Sequence, residues 1–142
     1  MIRILIAERD AAVASLLEVV ARQLPDCHIT VAHDSDATVE ALNTETFDVV
    51  LLDVGLYSDG LETLRSVRGR NSGCEVIALT TGAISAPLLK TLAKADVFAV
   101  LMKPFDAKQL EGVLRESVRP ERVADPNRPL VYRNFGREPT HE

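Results

Sequence analysis

The chain has 142 residues, of which 46% are hydrophobic and 26% are charged, and its formal net charge is −5. This length and ordinary globular composition favour one compact domain and exclude a second hydrophobic core. The acidic balance argues against a broad nucleic-acid surface, which needs clustered Lys and Arg, and two cysteines are too few for a disulfide scaffold.

Short apolar runs alternate five times with segments of helical periodicity. Residues 49–52 are apolar at every position, which is typical of a parallel strand buried on both faces. In chain order, the predicted strands span residues 2–7, 28–32, 48–53, 75–80 and 97–103. The predicted helices span 10–24, 35–45, 60–70, 84–95 and 107–118, with Asp10 and Asp106 as N-caps of the first and last.

This βα alternation predicts a doubly wound α/β fold. Right-handed crossovers place five parallel strands in one sheet with helices on both faces. In the first helix, the apolar spacing predicts one buried face, formed by Val13, Leu16, Leu17, Val20 and Leu24.

The chain changes character after Val118. Residues 119–142 contain four of the seven prolines and five arginines without sustained periodicity, so we expect a domain over 1–118 and a flexible tail over 119–142. An apolar cluster at Leu130, Val131, Tyr132 and Phe135 leaves docking of the tail on the domain or on a partner as the alternative.

No segment is long and apolar enough for a membrane span, and no cleavage-site pattern follows the first strand, so we expect a cytoplasmic protein without membrane contact.

Polar residues follow the strands at the edge where a doubly wound sheet binds ligands. They are Glu8, Arg9 and Asp10 after the first strand, Asp53 at the end of the third, Thr80 and Thr81 at the fourth, and Lys103 at the fifth. A carboxylate can attack phosphorus as a nucleophile, while a hydroxyl and an ammonium hold the phosphoryl oxygens. The set therefore indicates phosphoryl chemistry.

The sequence resembles the receiver domains of bacterial response regulators in its VVLLDVGL, VIALTT and VLMKPF segments. The resemblance covers about residues 2–118. It implies a flavodoxin-like or CheY-like (βα)5 fold with strand order 2-1-3-4-5, and phosphorylation of Asp53 by a sensor histidine kinase, a phosphotransfer protein or a small phosphodonor. It also implies that Thr80 is the switch hydroxyl, that Lys103 contacts the phosphoryl group, and that the bond before Pro104 is often cis.

The metal-binding corner departs from the family pattern. The resemblance places Mg²⁺ on acids after the first strand, on Asp53 and on the carbonyl of Gly55, but Arg9 stands where the second of those acids is expected. A guanidinium offers only donors and a positive charge, whereas Mg²⁺ requires oxygen ligands. We therefore expect a weak or absent Mg²⁺ site at Glu8, Asp53 and Gly55, with Asp10 as a further possible ligand and Arg9 as a replacement for the ion.

Two further departures concern the switch. Val100 stands where the family has an aromatic residue three positions before the lysine, and Phe98 is expected on the same strand face as Val100. The loop over residues 54–60 is one residue shorter than usual and has Tyr57 where a proline is common. The relay from Thr80 to an aromatic residue is therefore expected to be absent or replaced.

The sequence favours a single-domain receiver that signals by binding a downstream protein and is not an enzyme. The expected binding face comprises the fourth helix, fifth strand and fifth helix, with a basic patch at Lys90, Lys94, Lys108 and Arg115. The alternative is a pseudo-receiver, a phosphorylation-independent binding module in which Arg9 pairs with Asp53 and Glu8. A flavin or nucleotide enzyme of this architecture is disfavoured, because no glycine-rich phosphate loop follows the first strand.

Overall fold

The structure is a computed structural model that describes residues 1–54, 60–70, 73–82, 84–118 and 131–133. The strands are β1 (Ile2–Ala7), β2 (Cys27–Ala32), β3 (Val49–Asp53), β4 (Glu75–Thr81), β5 (Ala99–Lys103) and β6 (Val131–Arg133). They form one parallel sheet with the strand order β2-β1-β3-β4-β5-β6. The helices are α1 (Ala11–Ala21), α2 (Ser35–Thr44), α3 (Gly60–Arg70), α4 (Ala86–Lys94) and α5 (Ala107–Ser117). The predicted order 2-1-3-4-5 and the doubly wound α/β fold are confirmed.

The core consists of two apolar layers, one on each face of the sheet. The first layer contains residues of α1 and α5, and the second contains residues of α2, α3 and α4. All four apolar residues of β3, Val49–Leu52, are at most 1% exposed. The prediction that this strand is buried on both faces is confirmed, and its carboxyl end is thereby fixed at the centre of the sheet.

Side-chain caps define the start of helices that adjoin the site. Asp10 accepts hydrogen bonds from the backbone N–H groups of Ala12 and Val13 at 2.9 and 3.1 Å. At α5, Asp106 and Gln109 form a reciprocal capping box. Both predicted N-caps are confirmed, and each satisfies backbone donors that the first helical turn leaves without an intrahelical acceptor.

Two packing predictions were wrong. Leu16, expected on the buried face of α1, is 37% exposed, because the stripe that contacts the sheet is narrower than the apolar spacing suggested. Phe98, expected to share a face with Val100, precedes β5 and packs in the α1 and α5 layer, whereas Val100 packs in the opposite layer. Phe98 therefore does not take the place of the family's switch aromatic.

Arg68 joins α3 to the segments that precede β4 and β5. Its guanidinium donates hydrogen bonds to the backbone carbonyls of Cys74, Ala95 and Asp96 at 2.6, 2.7 and 2.8 Å. Asp96 has a φ of 58°, in the left-handed region, where the chain turns from α4 toward β5. One side chain thus holds the turn that begins the last strand of the five-strand core.

Part of the segment expected to be a flexible tail is paired with the sheet. β6 lies parallel to β5, with Ala99 opposite Val131, Val100 opposite Tyr132 and Leu101 opposite Arg133. The rest of 119–142 lies outside the described residues.

In the part of the chain that the structure describes, none of the helices is long and apolar enough to cross a membrane.

Candidate functional site

Four of the predicted site residues lie at the carboxyl edge of the sheet. Glu8 directly follows β1, Asp53 is the last residue of β3, Thr80 is the penultimate residue of β4, and Lys103 ends β5. In the sheet register Asp53 is opposite Leu79, and Thr81 is opposite Lys103. The parallel arrangement brings these strand ends to one side of the sheet, as the sequence predicted.

Lys103 connects the two buried carboxylates. Its Nζ lies 2.8 Å from Glu8 Oε1 and donates a hydrogen bond to Asp53 Oδ2 at 3.1 Å. The side chains of Glu8 and Asp53 are fully buried and that of Lys103 is 12% exposed. Because a buried charge without a partner is costly, this shared ammonium holds both acids in place.

Glu8 is the residue whose protonation the site perturbs most clearly. Burial raises the pKa of Glu8 above its ordinary value, and the neighbouring charge of Asp53 acts in the same direction. Hydrogen bonds from Lys103 and from the backbone N–H of Asp10 oppose that rise. The charge state of Glu8 therefore depends directly on Lys103.

The residues after Glu8 face a different environment. Asp10 uses its carboxylate to cap α1, and both Arg9 and Asp10 are exposed. Among the residues that the structure describes, Lys103 is the positively charged residue within 4 Å of Glu8 and Asp53. An ion pair between Arg9 and either acid stays a prediction.

Thr80 places a hydroxyl in the same region. The residue is 3% exposed, and its Oγ1 has no hydrogen-bond partner among the described residues. A buried hydroxyl that lacks a partner loses its hydration without compensation. An oxygen-rich group bound at the strand ends, such as a phosphoryl group, would supply a partner.

The described side chains near the strand ends do not fit a strong magnesium site. Glu8 and Asp53 already share Lys103, Asp10 caps α1, and Arg9 adds a positive charge. Gly55, the predicted carbonyl ligand, lies outside the described residues, and within them no group of three or more His, Cys, Asp or Glu side chains could hold a metal ion. Mg²⁺ usually keeps several waters and needs only one or two protein carboxylates, so what opposes strong binding here is the positive charge of Lys103 on Glu8 and Asp53.

An apolar pocket of about 380 Å³ opens beside Lys103. Val13 and Leu16 of α1 form one side, and Thr81, Pro104 and Phe105 complete it. The Lys103–Pro104 peptide bond is cis, as the resemblance suggested. Val19, 61% exposed, adds to the apolar surface of α1.

Comparison with known proteins decides the family. The sequence model of the response regulator receiver domain family matches residues 4–115. The chain belongs to this family. A search of the curated proteins found no match.

Solved receiver domains share the fold. The chain is similar to a CheY-like receiver domain from Methanospirillum hungatei, with 23% identity and a TM-score of 0.73 over 82% of this chain and 92% of that one. It is also similar to the Francisella response regulator 1452 receiver domain, with 24% identity and a TM-score of 0.70 over 82% and 96%. For CheY4 of Vibrio cholerae the values are 18% and 0.73, over 83% and 99%.

The predicted partner-binding residues of this receiver domain lie on α4 and α5. Lys90, Lys94 and Lys108 are exposed. Arg115 is exposed as well, but its Nε lies 2.9 Å from Glu111 Oε2, one helical turn away. The basic patch therefore depends mainly on the three lysines.

Sequence reasoning missed the apolar surface of α1. Leu16 was assigned to the core and Val19 to no role, although both are exposed. Val19 alone gave no usable signal, because single exposed apolar residues are common on the surfaces of soluble domains.

Proposed function

We propose that this receiver domain accepts a phosphoryl group on Asp53 and passes the signal on by binding another protein. The donor is the phosphohistidine of a sensor histidine kinase or phosphotransfer protein, or a small phosphodonor, and the setting is the cytoplasm. The domain acts as a regulated binding module and not as an enzyme. The observation that carries the proposal is the bridge of Lys103 between Glu8 and Asp53 at the strand ends.

The chemistry requires a carboxylate nucleophile and charge stabilisation. An oxygen of Asp53 attacks phosphorus, the new O–P bond forms as the N–P bond to histidine breaks, and the bonding electrons return to the imidazole nitrogen. Lys103 holds Asp53 before transfer and stabilises phosphoryl oxygens afterwards, while Thr80 donates to one of those oxygens. Thr80 lies near the end of β4, which neighbours β3, and Lys103 ends β5, one strand further along the sheet.

The pseudo-receiver remains the second candidate because of one observation. Glu8 and Asp53 are already compensated by Lys103, and the position expected to supply a further acid is Arg9. Because the Lys103 ammonium contacts both carboxylates, the folded site is stable without a bound phosphoryl group. In that case the binding face functions independently of Asp53.

Labelling with acetyl phosphate separates the two candidates. We expect intact-protein mass spectrometry to detect one added phosphoryl group in the wild type, and no addition in Asp53→Asn. Asp36→Asn, an exposed acid in the first turn of α2, is the matched control and should label like the wild type.

Histidine donors complete the test. Persistent labelling of Asp53→Asn would remove Asp53 as the acceptor. A folded wild type that takes no phosphoryl group from acetyl phosphate or from a phosphorylated histidine phosphotransfer protein would favour the pseudo-receiver.

A further inference from the structure

The outer edge of β5 is covered by three residues of the chain's own C-terminal segment. In the strand order, β5 ends the five-strand core, and β6 lies beyond it. Without β6, the outward N–H and C=O groups of β5 lack strand partners, which makes such an edge a template for another extended segment. The edge therefore has the backbone chemistry of a strand-addition site.

The position of this edge connects it to the rest of the receiver domain. α4 packs in one apolar layer and α5 in the other, so the edge of β5 lies between the two helices. Lys103, which contacts Glu8 and Asp53, ends the same strand. A segment that binds along β5 thus lies within the face expected to contact a partner.

The strength of the β6 contact is limited by its length and raised by its tether. Three paired residues provide few hydrogen bonds, and short strand pairs are marginal on their own. A connection of twelve residues, 119–130, attaches β6 to the domain and gives it an effective concentration on the order of millimolar. A separate peptide at micromolar concentration therefore competes poorly while β6 is in place.

We propose that β5 is a peptide-binding site of the strand-addition type and that β6 occupies it within the same chain. The partner it fits is an extended segment of another protein with the β-branched, aromatic and basic pattern of residues 131–133. Such a segment obtains its affinity from backbone hydrogen bonds to β5. This inference is independent of whether Asp53 accepts phosphate.

The full-length chain with Val131→Pro and Tyr132→Pro tests the proposal. Successive N–H groups of a strand point to opposite sides, so the two prolines remove at least one donor that faces β5. Hydrogen exchange of β5 amides should accelerate in this variant, while β1, β3 and β4 amides stay protected. Arg137→Pro with Glu138→Pro, an equal change outside β6, should exchange like the wild type.

A labelled peptide with the sequence of residues 128–135 then probes the vacated edge. We expect it to bind the β6 variant at least about tenfold more tightly than the wild type or the control, and to restore protection of β5. The same peptide with proline in place of its valine and tyrosine should not bind.

Three outcomes would overturn the proposal. The first is unchanged β5 exchange in the β6 variant. The second is a variant with an intact core and an exposed β5 that does not bind the peptide at millimolar concentration. The third is a wild type that light scattering shows to be a dimer which loses its association in the β6 variant, since the occupant would then be a second copy.

Discussion

Arg9 follows the buried Glu8 and brings a positive charge to a corner where the resemblance implies an acid. In an ordinary receiver domain the crowded carboxylates repel one another, and a bound cation relieves that repulsion. In this chain Lys103 contacts both Glu8 and Asp53. We therefore expect this ammonium to offset part of their repulsion whether or not magnesium is bound.

Replacing Arg9 by Asp should strengthen magnesium binding. The change adds a carboxylate beside Glu8 and removes a like charge, and we expect affinity to rise by at least about tenfold, with faster labelling by acetyl phosphate. Magnesium titration followed by backbone amide shifts measures the effect. Arg22→Asp, at the far end of α1, is the control for the change in net charge. Tight binding by the wild type through Asp10 or Glu8 would contradict this expectation.

Replacing Lys103 by Ala should make stability depend on pH in a defined direction. Burial raises the pKa of Glu8 above its ordinary value, as does the charge of Asp53, and Lys103 opposes that rise, so loss of the ammonium raises the pKa further. The folded state then binds more protons than the unfolded state, so the free energy of unfolding falls as pH increases. We expect a loss of about 3–5 kcal/mol at pH near 8 and a smaller loss near pH 5.

Chemical denaturation of the wild type, Lys103→Ala and Lys108→Ala at several pH values tests this. Lys108 is an exposed lysine of α5, so its replacement should leave the pH profile unchanged. A loss of stability in Lys103→Ala that is equal at both pH values would show that Lys103 acts through packing and not through the acids.

The sequence could locate the strand-end residues because each one directly ends or follows a strongly apolar run. It could not determine which groups touch: the sharing of Lys103 by two acids depends on side-chain geometry. The exposure of Leu16 also escaped prediction, because helical periodicity defines a stripe but not how wide a stripe the sheet covers.

At the scale of elements, the predicted bounds were close where a cap or a buried run marks them. α3 was predicted without error over Gly60–Arg70, and β1 over Ile2–Ala7. β6 could not be assigned as a strand, since three residues give too short a pattern to separate a strand from an apolar tail. Its pairing depends on the free edge of β5, which is a property of the assembled sheet.

Arg68 provides an element-scale prediction. Arg68→Ala removes three donors from the carbonyls of Cys74, Ala95 and Asp96, and we expect a loss of about 2–4 kcal/mol in the free energy of unfolding. Arg70→Ala, which removes one exposed hydrogen bond to Asn43, should cost less than about 1 kcal/mol. Urea denaturation compares the two, and equal losses would show that the Arg68 contacts contribute no more than a surface hydrogen bond.

The whole molecule combines an acidic surface with a basic patch beside the β5 edge. The net charge of the chain is −5, yet α4 and α5 expose Lys90, Lys94 and Lys108. Arg115 adds less, because Glu111 neutralises it locally. A partner with an acidic surface is therefore attracted to this face and repelled by the remainder, which favours one orientation of binding.

Reversing Lys90 and Lys94 to Glu should weaken partner binding. Both side chains are exposed on α4, so the change alters the field of the face and not the core. At low salt, we expect the variant to capture roughly tenfold less of the downstream protein from extracts of the native cell than the wild type does. Capture by the wild type should fall toward the level of the variant as the salt concentration increases. Quantitative mass spectrometry of the captured proteins measures this, and Arg3→Glu with Arg22→Glu controls for net charge. Because screening acts on the charges alone, capture that is insensitive both to salt and to the α4 reversal would exclude this patch as the surface that binds the partner.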